Sequence, residues 1–412
     1  MTTRRAFVAG GLCGCAMHGA AQAERIRPAA MQALVAPGYR PVDADERGMW
    51  HSVARLEEEL ASSNLRLDAP QMQRYVEGVI VRLLGERARE TRVYIVHDPD
   101  FNAAMFPNGM MIVQTGLLAR IRDEAQLAAV LGHECGHYLR RHSLQRWRDY
   151  RRKTGIMAFV GAGTRIVAGV SLSVGVDPRG WIDIANSINT ALVCSIRQFS
   201  RESEREADAF GVRLIEQAGY PPDAAAEVWR HYVEERRASA RARDKRYRDK
   251  ARSATSTHPP TAERMLDLTA SARELEAASA PPRLYDDGRD AWRAVVAPLR
   301  AGLLDEQIKL NDPGASLYLV NALAQDGWDG TLRYCEGEAY RLRDEPGDAA
   351  RAGWAYAQAV TLDDAPPEAW RANGYALLNA GDADRGRQSL ARYLARKPDA
   401  TDAAMVRFAL AQ

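Results

Sequence analysis

The chain has 412 residues, 46% of them hydrophobic and 27% charged, which is more than one ordinary domain and excludes disorder throughout. Its net charge of +2 argues against nucleic acid as the main partner. One local exception, nine Lys or Arg in the seventeen residues from Arg236 to Arg252, reads either as a solvated face or as a contact for anionic lipid head groups.

At the N-terminus, Arg4 and Arg5, the small apolar run Ala6 to Ala16 and Ala21-Gln22-Ala23 have the layout of a signal peptide over residues 1–23. Thr3 to Val8 is similar to a twin-arginine motif, which predicts a bacterial, periplasmic protein. An alternative reading takes Leu12-Cys13-Gly14-Cys15 as a lipobox, with the chain anchored through Cys15. Residues 24–43 read as a linker. Cleavage after Ala23 leaves Cys135, Cys194 and Cys335, an odd set that makes no disulfide framework.

Residues 44–90 read as helical, with Val53, Leu56 and Leu60 on one stripe and Val76, Val79, Ile80 and Leu83 on another. Thr91 to His97 alternates as a strand. Pro107-Asn108-Gly109 signals a turn, and Met110 to Gln114 is a second strand, expected at a sheet edge. A helix is predicted from Asp123, its N-cap, to about His142. Gly155 to Val176 is apolar and glycine-rich, with Arg165 near its middle. A membrane span, a flap and ordinary core all remain open readings for it. A further helix covers Asn186 to Gln217. It is stopped by Ala218-Gly219-Tyr220-Pro221-Pro222, where Gly suits a left-handed cap, and Asp223 is placed to cap the next helix.

The last third is helical and repetitive. Gly347-Asp348 recurs thirty-four residues on as Gly381-Asp382, with Ala352 matching Gly386, Tyr356 matching Leu390 and Ala359 matching Tyr393. Trp370, Gly374 and Leu377 fall where a tetratricopeptide repeat packs its first helix. The expected fold is therefore mainly α (α+β): residues 44–275 a metallopeptidase domain with a small sheet, 276–312 a connecting segment, and 313–412 a tetratricopeptide-like repeat domain with a concave binding surface.

The chemistry concentrates at His133-Glu134-Cys135-Gly136-His137, the HExxH pattern on a predicted helix. Residues four apart share a helix face, so two imidazoles reach one ion. Glu134 then stands beside the site, placed to take a proton from a water on the metal. Zinc suits such ligands and leaves one position open in catalytic sites. Downstream, Glu204 and Asp208 are four apart on another helix. Glu204 is a third ligand candidate, and Asp208 a partner for the far nitrogen of a ligand histidine. Glu202 and Glu206 read as ion-pair formers on the same helix. His51, His97, His142 and His231 show no partner pattern.

These stretches occur together with Asn102-Ala103, Pro107-Asn108-Gly109, Gly116-Leu117-Leu118, Ala218-Gly219-Tyr220 and His258-Pro259-Pro260-Thr261-Ala262-Glu263-Arg264. In that order the chain resembles the zinc metallopeptidases that include the CAAX prenyl proteases, the heat-shock protease HtpX and the periplasmic BepA-like proteases. The resemblance implies a helical zincin domain binding one Zn2+ per chain through His133, His137 and Glu204, with Asp208 orienting. It implies an endopeptidase for polypeptide substrates, in quality control of envelope or outer-membrane proteins. His258, a lone histidine before two prolines, reads as a structural loop residue; the resemblance suggests an alternative, in which its loop lies near the metal and His258 takes the open position and keeps the enzyme latent. Arg201 and His258 are candidate donors to the oxyanion. Two other classes remain open: a repeat-based chaperone or binding protein with a latched protease domain, and a membrane-embedded processing enzyme.

Overall fold

The computed structural model describes residues 35–153, 199–247, 258, 262–279 and 283–411. The export segment with Cys15, the beginning of the linker, Gly155 to Val176 and Cys194 lie outside these residues. Among the described residues, no helix is long and apolar enough to cross a membrane.

Two helices open the fold, α1 (Ala44–Ala61) and α2 (Pro70–Leu84). Both predicted stripes are buried. Asp43 caps α1 by accepting from the Glu46 N–H, and Pro70 at the start of α2 gives up a backbone donor that would have no partner there.

The strands β1 (Arg92–Val96) and β3 (Met110–Gln114) match the sequence expectation. A third strand, β2 (Ala103–Met105), was not expected. It joins β3 as an antiparallel hairpin through the predicted turn, where Gly109 takes φ +87°. The order is β1-β3-β2, with β1 and β3 parallel. Met110 to Gln114 is thus the central strand and not an edge: both of its ladders are occupied, and the free edge belongs to β2. The reason is local, because the four-residue connection Phe106 to Gly109, closed by the Gly109 N–H donating to the Phe106 carbonyl, folds the chain straight back on itself.

After a short helix, α3 (Thr115–Arg120), Asp123 caps α4 (Glu124–Leu139) through its side chain, as read. The helix stops three residues short of His142. Arg141 adopts φ +55°, and α5 (His142–Lys153) sets off in a new direction. Beyond the undescribed segment, α6 (Arg201–Gln217) is capped by Ser200 and ends at Gly219 with φ +91°. Asp223 precedes α7 (Ala224–Ala242) but makes no side-chain cap bond. Several basic residues at the end of α7 are paired: Arg237 with Glu234, and Arg243 with Asp312. That favours a solvated face.

Residues 276–312, expected as a connection, contain a 21-residue helix, α9 (Arg289–Lys309), which follows α8 (Ala262–Ala278). Its Trp292, Val295 and Val296 enter the main hydrophobic core with α2, α4 and α7, and the Trp292 indole N–H donates to the Ile121 carbonyl. The remaining chain forms α10 (Pro313–Leu323) and then two helix pairs. These are α11 (Gly330–Arg343) with α12 (Asp348–Ala359), and α13 (Pro367–Asn379) with α14 (Ala383–Arg396), before the last helix α15 (Ala403–Leu410). The thirty-four-residue offset is visible in space: Gly347 and Gly381 share φ +87°, and Tyr356, Leu390, Ala359 and Tyr393 are all buried.

Candidate active site

Helices α4 and α6 cross at small residues. A Cβ on Gly136 would stand 3.0 Å from the Ala207 backbone, and one on Gly211 would stand 2.9 Å from the His133 nitrogen. The backbones approach as closely as these residues permit. That approach places His133 and His137 of α4 against Glu204 and Asp208 of α6, all buried.

The ligand atoms converge. His133 Nε2 lies 3.1 Å from His137 Nε2. Each is 3.6 Å from one Glu204 oxygen. His258 completes the group, with Nδ1 3.2 Å from His133 Nε2 and 2.8 Å from Glu204 Oε1. All four residues offer atoms within 4.8 Å of one another. Tetrahedral zinc with bonds near 2.0–2.1 Å needs ligand atoms roughly 3.3 Å apart, so the spacing fits such an ion. The Nε2 atoms of His133 and His137 face each other across the cluster, an arrangement that a shared ion explains better than a hydrogen bond between them.

Electrostatics support the same reading. Burial, then the neighbouring His133, His258 and His142, hold His137 well below the usual imidazole range, which leaves it neutral and able to ligate. Burial opposes ionisation of Glu204, but His258 and Arg264 outweigh it and keep the carboxyl low. Asp208 behaves likewise, with Arg264 and His133 overriding burial.

Asp208 stands where the sequence suggested, with Oδ1 2.8 Å from His133 Nδ1, although off the axis of a straight ring hydrogen bond. Arg264 was not singled out by sequence. It is buried on α8, forks onto both Asp208 oxygens at 2.8 and 2.7 Å, and reaches Glu204 Oε2 at 3.0 Å. The only hint was its place in the His258-to-Arg264 stretch. Arg201 lies exposed as the first residue of α6, whereas His258 is buried in the cluster. Cys135 is fully buried and free, as expected of a packing residue.

Glu134 is nearly buried. Its Oε2 accepts from the Met105 N–H of β2 at 3.3 Å, and its Oε1 lies 3.3 Å from His258 Nε2. The ring of Phe199 stacks on His137 at 3.9 Å between centroids and on His258 at 5.5 Å. His142, which had no partner pattern in the sequence, has its Nδ1 2.9 Å from His137 Nδ1 and its Nε2 2.9 Å from Glu206 Oε2. Glu206 also pairs with Arg140 just beyond α4, so its ion pair crosses between helices where a pair within α6 was expected, and it holds an imidazole as well.

Residues 66–272 match the model of peptidase family M48. Mitochondrial metalloendopeptidase OMA1 of Schizosaccharomyces pombe is 30% identical over 160 residues, 38% of this chain and 42% of its own length. Beta-barrel assembly-enhancing protease of Escherichia coli is 24% identical over 192 residues, 44% of this chain and 37% of its own. The same-named protein of Yersinia pestis is 24% identical over 220 residues, 52% of this chain and 42% of its own. The chain thus spans about two fifths of the length of these relatives.

Proposed function

The chain belongs to peptidase family M48 and is a metalloendopeptidase, and from that premise we propose that its ion is zinc, held by His133, His137 and Glu204, with Glu134 as the proton carrier. The observation that carries this reading is the buried convergence of those three side chains on one point, with the Glu134 carboxylate beside it. When bound there, zinc would polarise a scissile carbonyl and acidify water. Glu134 accepts the proton from that water and returns it to the leaving amine. Asp208, locked by Arg264, orients His133 and raises its basicity.

Peptide substrates fit the surroundings. β2 is an edge strand whose Met105 N–H already points at Glu134, and an extended chain laid along that edge would pair through its backbone, with loose side-chain selectivity. The helix pairs α11 to α14 act as tetratricopeptide-like repeats that hold a partner or client. Together with the export-like N-terminus, these features support a periplasmic enzyme acting on misfolded or unassembled envelope and outer-membrane proteins.

His258 adds a second reading. Its Nδ1 stands where a fourth ligand would, and its Nε2 meets Glu134. One imidazole thereby blocks both the open position and the base, and the described conformation is a latched resting state.

Cleavage of an unfolded protein before and after chelation tests the proposal. Activity should vanish with the chelator and return with about one equivalent of zinc per chain, as expected of one catalytic site. Cleavage that survives complete metal removal would overturn it.

A further inference from the structure

The two helix-α4 histidines are supported differently. His133 leans on a carboxylate, Asp208. His137 leans on another imidazole. With its Nε2 turned to the cluster, a neutral His137 carries its proton on Nδ1, and the atom facing that proton is Nδ1 of His142 at 2.9 Å. His142 must then accept at Nδ1 and carry its own proton on Nε2, which meets Glu206 Oε2 at 2.9 Å. The other oxygen of Glu206 is ion-paired with Arg140. The His142 side chain is 0% exposed, so no solvent competes for these contacts.

The backbone is shaped for this contact. His142 begins α5 because Arg141 takes φ +55°, a left-handed conformation that a non-glycine residue adopts only against a steric penalty. The Arg141 guanidinium is tied to the buried Glu46 and to Tyr39, and these contacts hold the reversal that folds His142 back under His137.

We propose that His142 is a positioning residue for the metal site: it accepts the His137 Nδ1 proton, fixes the tautomer that presents Nε2, and is itself fixed by Glu206. This rests on the reading of His137 as a ligand. His142 touches neither the ion nor the substrate. It acts through His137, as an outer partner of a ligand imidazole does, and losing such a partner weakens metal binding roughly 10- to 100-fold.

The test is zinc affinity of the full chain by chelator competition, with melting of the metal-free protein as a control on folding. His142→Leu should bind zinc about 10- to 100-fold more weakly than the parent. His142→Asn, whose Oδ1 can replace the acceptor, should stay within about threefold, because an amide carbonyl serves the same role. Affinity of His142→Leu close to that of the parent would overturn the proposal, as would a His142→Asn variant as weak as His142→Leu. Should His142→Leu fail to fold, Glu206→Ala, which removes the acceptor of the His142 Nε2 proton, decides: a loss of about threefold or more supports the chain of contacts, and unchanged affinity overturns it. A parent that binds no zinc would refute the metal assignment itself, which separates that failure from this one.

Discussion

The Nε2 of His258 lies 3.3 Å from Oε1 of Glu134, so the imidazole that completes the ligand cluster also covers the carboxylate assigned as proton carrier. Replacing it should release both. His258→Ala is expected to raise cleavage of an unfolded protein by about tenfold, the factor that 1.4 kcal/mol of relieved latching gives, while zinc content is unchanged. Initial rates at equal zinc loading check this. A fall in rate without loss of zinc would make His258 a participant in the reaction and not a latch.

Gly211 fixes the distance between the ligand helices. A methyl group there would stand 2.9 Å from the His133 nitrogen, a backbone atom that cannot move alone. Gly211→Ala is expected to push α6 from α4, destabilise the fold by about 1–3 kcal/mol and weaken zinc binding by carrying Glu204 away from both histidines. Thermal melting and zinc competition on one sample check both. An unchanged zinc affinity would show that the helix crossing does not set the ligand spacing.

Asp98 gives the protein a pH-dependent weakness away from the metal. Burial, then Asp100 and Glu306, raise its carboxyl to about 7 despite a hydrogen bond from the Asp100 N–H. Glu306 in turn holds His97 and Thr115. Because the folded-state value lies above the unfolded one, the folded state holds more protons between about pH 4 and 7. Stability from this group therefore falls as pH rises through that window. Asp98→Asn should raise the melting temperature at about pH 7.5 by on the order of 2 kcal/mol equivalent and leave it nearly unchanged at about pH 4.5. Asp98 Oδ2 accepts from the Gln114 Nε2 at 3.0 Å, a bond that the amide oxygen of Asn would keep. Equal gains at both pH values would contradict the assignment.

What the sequence made legible was whatever local spacing carries. The Asp123 cap, the His133–His137 pair and the Glu204–Asp208 pair each follow from one helix period, and the Gly219 stop from one conformational preference. What it hid depended on the fold. β2 is three residues long, too short for a pattern, and its pairing moved Met110 to Gln114 from edge to centre. His142 is five residues beyond His137, off any shared helix face, and meets it only because Arg141 reverses the chain. Arg264 reaches Asp208 from a helix far along the sequence. Trp292 sits in a stretch read as connection, yet its indole finds the Ile121 carbonyl in the core.

The assignment of proton transfer to Glu134, beside an ion held by His133, His137 and Glu204, carries the mechanism. Zinc content and cleavage of an unfolded protein, measured side by side for the parent and Glu134→Gln, test it most directly. About one zinc per chain is expected in both, with cleavage reduced by about 10²- to 10⁴-fold in the variant. A zinc-loaded Glu134→Gln protein that cleaves as fast as the parent would contradict that assignment.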